Sequence, residues 1–419
     1  MSVSVKATAS RSRTLKSIIG GTAIVAVGAL ILSGCAATGG ATSTTGPRTP
    51  LTLEIGTILP QSGTLAFLGP PEEAGVKLAV KEINDAKVGI TINATYRDSG
   101  DTTTDTATVS VTDLLSKKVS AIIGAASSAV SKTVIDQITG AGVIQFSPAN
   151  TSIAFTNYAD HGLYWRTAPS DVLQGEVLGN LIAKDGIQNL GILELNDSYG
   201  TGLTKKITET FTAAGGKVVA TEPFKTGETV FNTQLDALIA AKPDAIALVT
   251  FDEAKVVVPA LKAKGYTGPL YFVDGNVADY SKVFDPGTLK GDKGTVPGLD
   301  TAKLGDFTKR LLTVDPKLTD FSYAAESYDA VVLIALAALA ANSTDGKAIA
   351  GKLQEVSGGS GKGKKATDFP SAAKIILDGG VVDYDGNSGP ITFDENGDPT
   401  EATIGIYQFG EDNKTTRIN

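Results

Sequence analysis

The side chains able to do chemistry in this chain are carboxylates, hydroxyls and aromatic rings. It has one histidine, His161, one cysteine, Cys35, and its sole methionine is Met1. Nucleophilic chemistry on thiol or imidazole is all but excluded, as is a metal site built from several thiolates or imidazoles. His161, within Asp160-His161-Gly162-Leu163-Tyr164-Trp165, reads as a partly exposed structural residue. A hydrolase would have to use paired acids such as Asp197 and Asp274, and nothing in their spacing calls for turnover. Asp383, Asp385 and Asp394 lack the glycine and closing glutamate of a helix–loop–helix calcium site, so they read as solvated turns. Gly358 followed by Gly363-Lys364 faintly resembles a phosphate loop. Lys365 stands where Ser or Thr is needed, however, and no strand leads in. The expectation is a protein that is not an enzyme and needs no cofactor or metal.

What remains is placed for binding. In open α/β sheets, ligands sit past the carboxyl ends of strands, where helix N-termini offer free N–H groups. Those positions hold Ser127 and Ser128, then Ser147-Pro148-Ala149-Asn150-Thr151, a seat for a carboxylate without a cation. A second set holds Asn196-Asp197-Ser198-Tyr199-Gly200, Phe251-Asp252 and Asp274-Gly275, where an acid near aromatic rings suits an ammonium. Set opposite each other, the two groups complement a zwitterion such as an α-amino acid. Each residue also has a plain reading. Ser127 suits a helix cap, Tyr199 and Asp274-Gly275 suit turns, and Arg166 suits a surface or inter-lobe ion pair.

These positions rest on alternating strands and helices. β-branched runs predict strands at Leu53–Leu59, Ile90–Tyr96, Val119–Gly124 and Val143–Phe146. Helices are expected from Pro70 to about Asn84, at Thr104–Lys117 and at Ala129–Gly140. A second series repeats the pattern, with strands at Leu190–Leu195, Lys217–Pro223, Ala245–Thr250 and Leu270–Val273. Its helices are Asp171–Lys184, Gly202–Ala214, Phe231–Ala241 and Lys255–Lys264. The fold class is therefore α/β, with two lobes of one construction. The apolar run Ala330–Ala341 is too short to span a membrane and reads as a buried helix. Ser357–Lys365 reads as an exposed loop, and Asn396-Gly397 as the turn of a hairpin.

The 419 residues are 42% hydrophobic and 20% charged, globular values, with a formal net charge of -8 that disfavours a nucleic-acid partner. At the N-terminus, Lys6, Arg11, Arg13 and Lys16 precede an apolar stretch ending Leu32-Ser33-Gly34-Cys35. That order resembles a bacterial lipoprotein signal. It implies a signal peptide over 1–34, lipid on the Cys35 sulfur and anchoring on the extracytoplasmic face of the cell membrane. Loss of those four cations would leave the remaining chain at -12. Ala, Thr, Gly, Ser and Pro dominate 36–50, so 35–50 is expected to be a flexible tether.

Several runs together resemble the branched-chain amino-acid (Leu/Ile/Val) binding proteins of ABC importers. They are Gly56-Thr57-Ile58-Leu59-Pro60-Gln61-Ser62-Gly63, Glu82-Ile83-Asn84, Ile122-Ile123-Gly124, Ser147–Thr151, Trp165–Asp171, Gln174-Gly175, Asp197–Gly200 and Asp394–Asp398. The resemblance implies the type I periplasmic-binding fold, two doubly wound lobes joined by three hinge crossings. It implies lobe 1 over 51–168 and 298–403, and lobe 2 over 169–297 and 404–419. It also implies a monomer that hands a small-molecule ligand, an amino acid or amide, to ABC permease subunits; a ligand sensor of the same fold is the alternative. Carried over by position, Ser128, the Ala149 backbone and Thr151 resemble the carboxylate set. Tyr199, Phe251 and Asp274 resemble the ring contacts and the acid for the ammonium. Leu68 stands at a site usually aromatic, with Phe67 beside it, and Asp274 replaces a longer Glu.

Overall fold

Parallel strands covered on both faces must be nearly continuous branched apolar runs, and β1 (Leu51–Leu59) shows this with six of its nine residues apolar or glycine in Leu-Thr-Leu-Glu-Ile-Gly-Thr-Ile-Leu. The computed structural model describes residues 48–300 and 303–419. Cys35, the expected signal segment and most of the expected tether lie outside the described residues. After β1 come α1 (Gly69–Ala86), β2 (Ile90–Asp98), α2 (Thr106–Ser116), β3 (Ala121–Gly124), α3 (Ser128–Gly140), β4 (Ile144–Ser147) and β5 (Tyr164–Arg166). Their strands form one parallel sheet in the order β2-β1-β3-β4-β5.

The chain then passes to a second sheet. It runs through α4 (Asp171–Lys184), β6 (Asn189–Leu195), α5 (Gly200–Ala213), β7 (Lys217–Phe224), α6 (Asn232–Ala240), β8 (Ala245–Val249), α7 (Ala254–Ala263), β9 (Leu270–Phe272) and β10 (Lys293–Pro297). It returns to the first lobe with α8 (Gly305–Val314), α9 (Ala324–Ala341), α10 (Gly346–Val356), β11 (Lys364–Ala366), α11 (Phe369–Leu377), β12 (Val382–Gly386) and β13 (Gly389–Pro390). A third passage leads to β14 (Ile404–Phe409) and β15 (Thr415–Arg417), which add antiparallel to the second sheet. That sheet has the order β15-β14-β10-β9-β8-β6-β7. The result is the expected α/β architecture of two lobes with three crossings.

The core of the first lobe is set by α9. Its sequence is apolar on all sides, so it can only be stable surrounded by protein. Although long and apolar enough to cross a membrane by composition, 89% of it is buried. It begins at Ala324, a turn and a half before the expected Ala330, because the polar residues Glu326, Ser327 and Asp329 are also buried. Gly75 of α1 lets the two helices touch; a Cβ there would stand 2.2 Å from the Ala324 carbonyl oxygen.

Three local expectations change. Tyr164–Arg166 is a strand, too short to show a period in sequence. Within the expected loop Ser357–Lys365, Ser357 is fully buried and Lys364 opens β11, paired in parallel with β12. The hairpin around Asn396-Gly397 reduces to one bridge between Phe393 and Pro399. Asp394 caps that turn by accepting from the Asn396 and Asp398 N–H groups, while Asp383 and Asp385 pair with Lys365.

Burial pushes the Glu326 carboxyl up to about 8. The folded state therefore holds a proton that the unfolded chain, titrating near 4.5, has lost. This contribution to stability is complete below that lower value and declines as pH rises towards 8. Urea unfolding at pH 5 and pH 8 should show stability falling with pH by about 1 kcal/mol per unit, and Glu326→Gln should flatten the slope.

Candidate ligand-binding cleft

The loop after β3 is held by the loop after β4. Asn150 Nδ2 donates to the carbonyls of Ala125 and Ala126 at 3.0 and 2.7 Å, and Ser147 Oγ donates to Ala125 O at 2.7 Å. Tyr164 OH fixes the Asn150 amide at 3.0 Å. Ser127 caps α3, its Oγ accepting from the Val130 N–H at 3.4 Å, which leaves Ser128 at the helix start facing the cleft. The first N–H groups of such a helix have no intrahelical acceptor, so this end favours an anion.

Below these loops lies Arg166, which is fully buried and not the surface or inter-lobe pair expected. Its guanidinium grips Asp398 with two bonds of 2.6 and 2.7 Å and also donates to the Ser152 carbonyl at 2.8 Å. Asp398 accepts a further bond from Thr156 at 2.6 Å. One ion pair thus ties the segment carrying Thr151 to the turn that precedes the third crossing.

Leu65, Leu68, Ala126, Ser127, Ser128, Ala149, Thr151, Tyr199, Phe251, Asp274, Gly275 and Tyr323 line one cleft. The structure thus brings Ser128, Ala149, Thr151, Tyr199, Phe251, Asp274 and Leu68 to one cavity. Phe67 is the exception. It lines a separate, wider groove on the other side of Tyr323, so it does not stand in for the ring absent at Leu68. Tyr199 and Phe251 stack with centroids 5.3 Å apart, and a Cβ on Gly275 would lie 2.5 Å from the Phe251 ring. Asp197 accepts from the N–H groups of Tyr199 and Gly200, so it shapes the start of α5. His161 is exposed with φ 62°.

Asp274 is a hub. It accepts from Tyr199 OH at 2.6 Å, Gln174 Nε2 at 3.0 Å and Tyr323 OH at 2.8 Å. Burial raises its carboxyl, and these donors with the Gly275 N–H pull it back. Asp171, absent from the sequence reading of the cleft, is the second acid. Burial, then Asp274, pushes its carboxyl well above the usual range; Thr151 and Arg166 act in the other direction. Neither Asp171 oxygen completes a hydrogen bond with a described residue. One buried acid, Asp274, thus faces hydroxyls and N–H groups, and no basic side chain lines the cavity among the described residues. The lobes meet around it: Asp171 N donates to Thr151 O at 2.7 Å, and Ser152 Oγ donates to Ser198 O.

Residues 52–399 match the model of the periplasmic binding protein family, and the chain belongs to that family. It is 26% identical over 349 residues to the chemotactic signal transduction system substrate-binding protein BasB of Halobacterium salinarum, covering 80% of this chain and 82% of the relative. It is also 26% identical over 384 residues to Leu/Ile/Val-binding protein homolog 1 of Brucella suis, covering 87% and 92%. In fold it is similar to a leucine-binding protein from Thermotoga maritima, with TM-score 0.73 and 21% identity over 88% of this chain and 98% of that one. The family is one of extracytoplasmic binding proteins rather than enzymes.

Removing the Asp398 carboxylate would leave Arg166 charged, buried and unpaired. Asp398→Ala should cost about 3–5 kcal/mol in chemical denaturation. An unchanged unfolding midpoint would remove the ion pair from this account of the cleft.

Proposed function

We propose that this protein binds a small zwitterion, an amino acid of the branched-chain or a related type, and delivers it to an ABC permease by closing its cleft. The observation that carries the reading is the opposition of Ser128, Ala149 and Thr151 to the Asp274 carboxyl in one cleft, with no cation among its described lining residues. A carboxylate fits the hydroxyl side and an ammonium the acidic side. Closure follows from contacts made by both lobes at once, because a ligand favours the state in which it gains the most. The lobe boundaries proposed are 51–168 with 298–403, and 169–297 with 404–419. The protein would work as a monomer, tethered outside the membrane by lipid on Cys35. The name of the chemotactic relative supports a second reading, a sensor that passes closure to a signalling partner instead of a permease.

Ser128→Ala with Thr151→Ala should weaken amino-acid binding by about a hundredfold or more in calorimetry, the loss of two charge-assisted hydrogen bonds. Unchanged affinity would reject the carboxylate seat. The raised Asp274 carboxyl must ionise against a bound ammonium, so binding should release a proton and affinity should decline as pH falls through its raised value. Calorimetry in buffers of different ionisation enthalpy reads that release directly; a heat independent of buffer would reject the ammonium site.

A further inference from the structure

We propose that the end of the first lobe opposite the cleft is a docking surface for anionic lipid headgroups. This rests on the reading that Cys35 carries lipid. The cleft lies past the carboxyl ends of β1, β3 and β4, and these strands and β2 run parallel, so their amino ends form the opposite end of the lobe. Arg48 precedes β1, Lys87 precedes β2, and Lys117-Lys118 precede β3. Lys347 joins them from α10, its Cε 3.4 Å from where a Cβ on Gly142, just ahead of β4, would stand. The junction is fixed by Ser120 Oγ donating to Thr344 O at 2.6 Å and by Gly346 packing on the Gly142 carbonyl. Arg48 is held there too, donating to the Leu339 carbonyl at 2.7 Å.

Arg48, Lys87, Lys118 and Lys347 form no ion pair with a described residue, and the three lysines are exposed. Nearby acids are engaged elsewhere: Asp113 with Arg97 at 2.7 Å and Lys117 at 3.6 Å, Asp85 with Lys81 at 2.6 Å. Asp345 caps α10. The helix dipole explains Lys87 and Lys118 singly, since both follow helix C-termini. It does not explain Lys347, which stands at a helix N-terminus where a cation is unfavourable, nor Arg48, which is on no helix. A cluster of this sign also runs against a chain whose net charge is -8. Arg48 stands thirteen positions after Cys35, so a lipid on Cys35 would hold this end within about 45 Å of the bilayer. Each cation near an anionic leaflet adds about fivefold to local enrichment, over a distance that salt shortens. Seated this way, the cleft faces away from the lipid.

The test is lysine acetylation footprinting of the full chain on phosphatidylglycerol–phosphatidylcholine vesicles and on phosphatidylcholine alone. Lys87, Lys118 and Lys347 should be protected several-fold on the anionic vesicles and released by high salt, while Lys205 and Lys255 label equally on both. Equal labelling of the three on both vesicles overturns the proposal. Intact mass reads lipid on Cys35 separately. A lipidated chain with equal labelling overturns the surface and leaves the anchor standing; an unlipidated chain protected only on anionic vesicles supports the surface and removes the anchor.

Discussion

A carboxylate taken out of water has to find donors, and Asp274 finds them on both sides of the cleft. Tyr199 and Gln174 reach it from the second lobe, and Tyr323 reaches it from the start of α9 in the first. Burial holds both tyrosines protonated, so they remain donors. Its set of donors is therefore complete only when the lobes are together. Asp171 has the same problem without the same solution, because Asp274 raises its carboxyl further and its oxygens complete no bond with a described residue. An acid raised in this way ionises more readily when a cation lies near, so a positively charged guest is favoured over a neutral one.

The opposite wall is rigid for a different reason. Its hydroxyls and N–H groups lie on loops, and loops left alone are mobile. Here Asn150 and Ser147 bind the preceding loop, while Arg166 binds the segment after Thr151 to Asp398. A bidentate pair this deeply buried contributes little net stability if replaced by apolar residues, yet is costly to break. Its effect is geometric: the ligand loop and the final crossing cannot move independently.

Much of this was legible in the chain. The strands of both sheets announce themselves as short branched runs, and the rule that ligands sit past strand ends located Ser128, Ala149, Thr151, Tyr199, Phe251 and Asp274. Asp171 escaped because β5, only three residues long, carries no period, so the helix start that follows it was not read as a strand end. Tyr323 escaped because it follows no strand; it arrives from a later part of the chain, at the head of α9. Phe67 was misplaced because adjacent residues in a loop point in different directions, and only Leu68 turns inward. Elements after β9 were mostly unseen, since β11 to β13 are short and hold their place by contacts with α9 through Asp329 and its partners Tyr384 and Ser388.

The sequence by itself determined the α/β class, the two-lobed repeat, the single thiol and single imidazole, and which side chains stand at the strand ends. Those follow from local periodicity and composition, which a single segment carries. Tertiary structure decided which residues gather in one cleft, which donors reach Asp274 and that Arg166 is internal. Such properties depend on segments far apart in the chain, such as Arg166 with Asp398 and Asp274 with Tyr323, and no local pattern encodes where the second partner will be.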